Sequence, residues 1–315
     1  MRTTNTPDIR ERAVRAAAAV LATWYRRVPF RPYRAWAWKA FVSRHVVWRR
    51  LDVEIVTAFG ARMPGRLDDL ISRHLYFFGV FEPAVTALYR EILQPGDVMV
   101  DVGANVGAHT LLAAHLVGPQ GRVHAIEASP SIFARLRINL DANGAGQVLA
   151  HNIAVAEREG IVPIFLSDPS NLGASTIIPG EADRLGAAHE ALVPARPLQE
   201  IVPPEDLAAA RLIKIDVEGA EWLVVQGMRD ALPLLRPDVS ILLEVNPKSI
   251  MHLGGTLAKL VDIFTQAGFA ASMIPNRYDE DFYFNTPDLT PRPATAVDLA
   301  GDFDVADLLF RRPPA

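Results

Sequence analysis

The chain has no cysteine among its 315 residues. That excludes disulfides, zinc–thiolate sites and a thiol nucleophile, and it fits a reducing, cytoplasmic setting. It also lacks an apolar run of membrane-spanning length. Residues 16–25, the longest apolar stretch of the N-terminal region, include Thr23 and fall short of the about 20 residues that a bilayer-crossing helix needs. Arg26, Arg27, Arg31 and Arg34 follow where a signal peptide would place small residues for cleavage, so neither a transmembrane segment nor a signal peptide is expected. Internal repeats, low-complexity tracts and the GxGxxG fingerprint of a dinucleotide fold are missing too.

What is present is enough apolar residue, 50%, to bury a full core. The formal net charge of −4 hides an uneven distribution. Residues 1–50 hold 12 Lys and Arg against 2 Asp and Glu, and the remainder holds 20 against 34. A basic head carrying Trp24, Trp36, Trp38 and Trp48 suits peripheral contact with an anionic membrane, a lid or a homodimer contact. The acidic body disfavours a nucleic-acid partner.

The run VMVDVGANVG, Val98 to Gly107, is a strand that ends at Asp101 and turns through spaced glycines into an apolar helix. A pyrophosphate at such a helix start needs bare N–H groups. A carboxylate at Asp101 repels phosphate and welcomes a cation, as in S-adenosylmethionine, which carries an ammonium and a sulfonium. The next strand, Gly121 to Ile126, ends in Glu127, placed to take both hydroxyls of a ribose. The alternative is a plain strand–helix turn with Asp101 as a cap.

Four divisions are expected. Residues 1–50 form a basic, Trp-rich helical extension, 51–81 a small antiparallel and helical preface, 82–290 the main domain, and 291–315 a tail. From residue 97 strands and helices alternate, which implies a parallel sheet with right-handed crossovers. The rhythm breaks after Glu159. Gly160 to Ser167 reads as an extra strand, and DPSNLGASTIIPG as an irregular, substrate-facing loop. The strand RLIKID (211–216) and the buried strand PDVSILLEV (237–245) follow, and Asp281 to Asn285 (DFYFN) is expected to close the sheet as an antiparallel strand.

DVGANVGAHTLLAA, GRVHAIEASPSIFARLRINL, NLGAS, LIKIDVEGAEWLVVQGM and ILLEVNP, in this order, resemble the FkbM-type S-adenosylmethionine-dependent methyltransferase family over residues 82–268. The resemblance implies the α/β class I methyltransferase fold, Rossmann-like, with a seven-stranded mostly parallel sheet and helices on both faces. It also implies methyl transfer, commonly to a hydroxyl of a saccharide or natural product. It puts cofactor binding on Asp101, Gly103, Asn105 and Gly107, the ribose on Glu127, and the adenine near Asn152. Glu127-Ala128 stands where such families show Glu-Pro, a change in loop stiffness more than in chemistry.

An in-line methyl transfer to an alcohol needs the oxygen held about 3–3.5 Å from the methyl carbon and a destination for its proton. Asp216, at the end of a strand beside the cofactor strand, is the first candidate for general base or hydroxyl anchor, and Glu218 the second. Glu221 in the first helical turn reads as a helix stabiliser. Lys214 is expected to pair with Glu244 of the neighbouring strand. Asn171 and Ser175 in the irregular loop, with Glu244 and Asn246, are candidates for binding the small-molecule or saccharide acceptor, and His252 could reach the rim. Asp216, Glu244 and Asn246 would offer Mg²⁺ three oxygen ligands, yet a metal is not the favoured reading, and Asn246 could simply start a turn. The alternatives are a methyltransferase-like module that binds cofactor without catalysis, and an N- or C-methyltransferase.

Overall fold

A computed structural model describes residues 9–27, 31–166, 175–178, 180, 182–183, 186–277, 279–285, 294–297 and 303–313. They fall into two units, Met1–Phe81 with Tyr278–Asp288, and Glu82–Arg277 with Leu289–Ala315.

In the first unit, helix Ile9–Arg27 is followed by Arg31–Ala37, which runs through a wide turn at Trp38–Val42 into Ser43–His45. An antiparallel hairpin joins β1 (Asp52–Val56) to β2 (Arg62–Arg66) around Gly60. Helix Leu70–Phe78 begins where Asp69 Oδ2 accepts from Ser72 N at 2.8 Å and ends at Gly79, whose φ of 80° suits glycine. One aromatic core joins these pieces. The Tyr25 ring lies 5.9 Å from both Trp38 and Phe77 and stacks on Phe284 at 6.0 Å. Each such pair contributes about 0.5–1.5 kcal/mol beyond its burial.

Phe284 sits on the segment expected to be a closing strand, and the segment is a helix instead. Residues Glu280–Asn285 are helical. Asp279 Oδ1 accepts from Phe282 N at 3.0 Å, starting the helix, and Phe282, Tyr283 and Phe284 are all buried. Three consecutive aromatics suggest a strand by propensity; the side-chain cap and burial all round override it.

The second unit holds the alternating pattern. β3 (Val98–Val102), β4 (Arg122–Ile126) and β5 (Val148–His151) come first. A four-stranded side sheet follows, made of β6 (Ala154–Val155), β7 (Gly160–Leu166), β8 (Ser175–Thr176) and β9 (Ala188–Arg196) in the order β6-β9-β7-β8. The chain then returns through β10 (Ala210–Ile215), β11 (Ser240–Val245), β12 (Ala270–Ile274), β13 (Thr295–Ala296) and β14 (Ala306–Arg311). The main sheet runs β13-β12-β14-β11-β10-β3-β4-β5. β5, β4, β3, β10 and β11 are parallel neighbours, and β14 is antiparallel to both β11 and β12. This is the class I methyltransferase sheet of seven strands, with the two-residue β13 as an added edge.

The antiparallel strand is therefore β14, from the C-terminal tail. Its Leu308, Leu309 and Phe310 are almost fully buried, and Phe310 stacks on Phe264 at 4.0 Å. β9 was also illegible as a strand, because its register with β7 shifts at Ile164/Phe165 and its burial alternates only toward its end. Central strands such as β3 and β10 are buried residue after residue, which requires cover on both faces. The order reverses between β3 and β10, and ligands of open α/β sheets bind beyond the strand ends at such a point.

Candidate active site

Asp101, Gly103, Asn105 and Gly107 form one turn, held from three sides. Gly103 N and Ala104 N donate to Ile126 O at 2.9 and 3.0 Å, Asp216 N donates to Val102 O at 3.0 Å, and Asn139 Nδ2 donates to Val106 O at 2.7 Å. β10 approaches so closely that a Cβ on Gly103 would lie 1.7 Å from Asp216 O, and φ there is 83°. A Cβ on Gly107 would lie 2.7 Å from Leu136 Cδ1. Asp101 is fully buried. Its Oδ2 accepts from Thr110 Oγ1 at 2.6 Å, and its Oδ1 has no hydrogen-bond partner among the described residues. A glycine cradle beside an orphaned buried carboxylate oxygen fits a cationic, phosphate-free cofactor.

Glu127 braces the turn as well. Its Oε2 accepts from Asn105 N at 2.9 Å and its Oε1 from Ser129 N at 2.8 Å. Burial pushes its carboxyl up to about 7, and the two backbone donors only partly offset this. Ser129 Oγ donates onward to Glu190 Oε2 of β9 at 2.7 Å, so the side sheet fastens the loop after Glu127. Asn152 Nδ2 donates to the carbonyls of Glu127 and Ala128 at 2.9 and 3.0 Å. Its amide nitrogen orients the Glu127 loop.

Asp216 follows β10 directly. Lys214 Nζ donates to Asp216 Oδ2 at 2.7 Å, so the expected Lys214–Glu244 pair is replaced by a pair two residues apart on one strand face. Glu244 hydrogen-bonds Asp216 instead. Burial works to raise Asp216, but Lys214 and Glu244 hold it below its ordinary range. Burial and the neighbouring Asp216 push Glu244 well above its own. The opposite directions of the two shifts mean that the two carboxyls titrate as a pair, with Asp216 favoured in its charged form.

Glu218 is exposed and has φ of 51°. Glu221 is buried and accepts from Gly219 N at 2.8 Å; burial raises it to about 7. Asn246 Oδ1 accepts from Lys248 N and Ser249 N, so it caps helix Pro247–His252, and His252 is exposed on the last turn. Ser175 lies in β8, paired with Leu166, and Asn171 lies outside the described residues. Among the described residues no group of three or more His, Asp or Glu is arranged to hold a metal ion.

Several participants were missed. Glu82, buried with φ of 47°, accepts a contact from His109 Nε2 at 2.7 Å. Asp307 of β14 accepts from Asn276 Nδ2 at 2.7 Å; burial and Glu82 push it up to about 7. Tyr89, also buried, is kept neutral by burial and by Asp101 and Glu82. Glu82, Asn105 and Glu218 are the non-glycine residues with positive φ among those described. Such conformations cost about 1–3 kcal/mol each and cluster at functional sites.

A model of the methyltransferase FkbM domain matches residues 101–270. The chain is 31% identical over 221 residues to the 31-O-demethyl-FK506 methyltransferase FkbM of Streptomyces tacrolimicus, covering 58% of this chain and 80% of that protein. It is 24% identical over 201 residues to the hexuronic acid methyltransferase AglP of Haloferax volcanii, covering 64% and 75%. Among solved structures, a putative rRNA methylase from Clostridium thermocellum aligns with a TM-score of 0.43 at 12% identity, over 72% of this chain and 92% of that one.

Proposed function

Because the chain belongs to the FkbM methyltransferase family and carries its domain over more than half its length, we propose that it uses S-adenosylmethionine to methylate a hydroxyl of a saccharide or natural product. The observation that carries this is the Asp216–Glu244 carboxyl pair beside the Gly103 cradle, where a transferred methyl would arrive. The two relatives are named for 31-O-demethyl-FK506 and for a hexuronic acid.

S-adenosylmethionine supplies an activated methyl carbon; position and proton management fall to the chain. Gly103 and Gly107 let the backbone close around the methionine end, with Asp101 facing its positive charge. The Glu127 carboxylate accepts from the ribose hydroxyls. Asp216, ionised and fixed by Lys214, accepts a hydrogen bond from the acceptor hydroxyl and takes its proton as the carbon–oxygen bond forms and the sulfur–carbon bond breaks. Glu244, whose burial favours its protonated form, would orient Asp216 and limit repulsion within the pair.

Asp216→Asn is expected to lower kcat by about 10²–10⁴ while leaving cofactor affinity near wild type. Steady-state kinetics with a panel of uronic-acid glycans and hydroxylated macrolides tests this, and full turnover by the variant would remove Asp216 from the proton path.

Cofactor affinity is expected to rise as pH rises through about 7, when Glu127 ionises and can accept from ribose. Its folded value is raised above 4.5, so in the free protein its contribution to stability is full below that pH and lost as pH rises through about 7. Calorimetric titration of S-adenosylmethionine from pH 6 to 8 should show this slope in wild type and a flat profile in Glu127→Gln.

A further inference from the structure

We infer that the exposed face of residues 36–49 is a docking surface for anionic phospholipid bilayers. This rests on the first unit alone and is independent of the acceptor proposed above. Arg34, Ala37, Trp38, Val42 and Val46 are buried and face the unit's own core. Trp36 and Trp48, on the same stretch, are 69% and 83% exposed. Trp38, by contrast, is 3% exposed and stacks on Phe78. Burial would stabilise a tryptophan by several kcal/mol relative to leaving it in water, so two left almost bare are an exception within an otherwise packed segment.

The charge carried by the stretch itself, residues 36–49, is of one sign. Lys39, Arg44 and Arg49 are exposed on the same stretch as the two indoles, and no acidic residue lies between Ile9 and Leu51 except Glu11. Glu11 is engaged by Arg15 at 2.8 Å. Other arginines of the head serve the fold: Arg26 donates to the carbonyls of Leu75 and Tyr76 at 2.7 Å, and Arg34 to Tyr25 O. Arg26 and Arg34 are thus structural, while Lys39, Arg44 and Arg49 stay exposed on the stretch that carries the two bare tryptophans.

Indole rings favour the level of lipid headgroups, and each Lys or Arg near an anionic surface adds about 1 kcal/mol. No helix among the described residues is long and apolar enough to cross a membrane, so the contact is with the surface of the bilayer. A nucleic acid would meet the same cations, but indole side chains left bare on a basic stretch match the headgroup level of a bilayer.

Co-sedimentation of the full chain with vesicles tests the surface. Binding is expected to phosphatidylcholine vesicles that contain phosphatidylglycerol and not to phosphatidylcholine alone, and to weaken with salt. Arg44→Glu/Arg49→Glu should lower partitioning by about tenfold or more, and Trp36→Ala/Trp48→Ala should lower it comparably, with thermal melting unchanged in both because the replaced side chains are exposed. Equal binding to both vesicle types, binding to neither, or variants that partition like wild type would overturn the inference. So would variant-sensitive binding to RNA by a chain that ignores the vesicles. In either variant, a drop in vesicle binding at unchanged melting supports it.

Discussion

Gly103→Ala is expected to abolish cofactor binding and to destabilise the second unit by about 3 kcal/mol or more. Two costs add. A left-handed conformation costs a non-glycine residue about 1–2 kcal/mol, and φ at Gly103 is 83°. The new methyl would also lie 1.7 Å from Asp216 O, a backbone atom held by the β10–β3 ladder that cannot swing aside. Overpacking of this kind costs a further about 1–3 kcal/mol. Displacing the Asp216 carbonyl would also move the Asp216 carboxylate, so under the proposed mechanism the substitution acts on catalysis as well as on folding. Gly60→Ala is the matched control. It has a similar φ of 89° but nothing within 4 Å, so it should cost the conformational part alone. Denaturant melts of both variants, with calorimetry of S-adenosylmethionine, separate the two contributions. If the Gly103 and Gly60 variants melt alike, the close approach of the turn to β10 is not a constraint.

Lys214→Met is expected to cost about 3–5 kcal/mol, the price of leaving buried charge without its partner. Lys214 is almost fully buried, and burial alone would lower its pKa. Asp216, Asp101 and Glu82 more than reverse that and hold it charged. Without the ammonium those carboxyls face each other across a site that also holds Glu244 and Asp307. The pH dependence should change sign with the substitution. In wild type Asp216 is held below its ordinary 3.8, so its contribution is present above that value and lost as pH falls through the lower folded one. In the variant Asp216 needs a proton to fold, and melting temperature should climb on acidification between neutral pH and about pH 5. Lys214→Met/Asp216→Leu should recover part of the loss, since an apolar pair leaves no buried charge. A single variant as stable as wild type, with no change in its pH profile, would show that the acidic site needs no internal cation.

The cofactor turn was legible because its demands are local. Asp101, Gly103 and Gly107 stand at spacings that a strand, a left-handed turn and a helix start impose on any chain, and Glu127 ends the next strand in register. Asp216 was legible for the same reason, as the residue that terminates an apolar strand. Lys214 showed where the rule stops. Its position on a buried strand was readable, but whether it reaches Asp216 or Glu244 depends on side-chain direction across β10 and β11, which spacing alone leaves open. His124 and His151, unrelated by any motif spacing, are brought to 3.1 Å by the pairing of β4 with β5, and Asp206 accepts at 2.9 Å from the other side of the His124 ring.

The strands at the far edge were misread for a related reason. DFYFN has the composition of a strand and lies in helix Glu280–Asn285, while ADLLFR, beyond it in the chain, pairs between β11 and β12. Both sequences are short and apolar, and a short apolar segment takes its secondary structure from what covers it.

By itself the sequence determined the local grammar: the alternation of strands and helices, the turn that welcomes a cationic cofactor, the carboxylates at strand ends, and the basic head. The tertiary structure decided which way the carboxylates' proton affinities move, down at Asp216 and up at Glu244 and Asp307. Glu82, Asp101, Asp216, Glu244 and Asp307 come from five separate segments, and only the folded sheet surrounds Lys214 with them and withdraws them from water. Charge state follows from burial and neighbours, and both are properties of the assembled core that no stretch of chain carries alone.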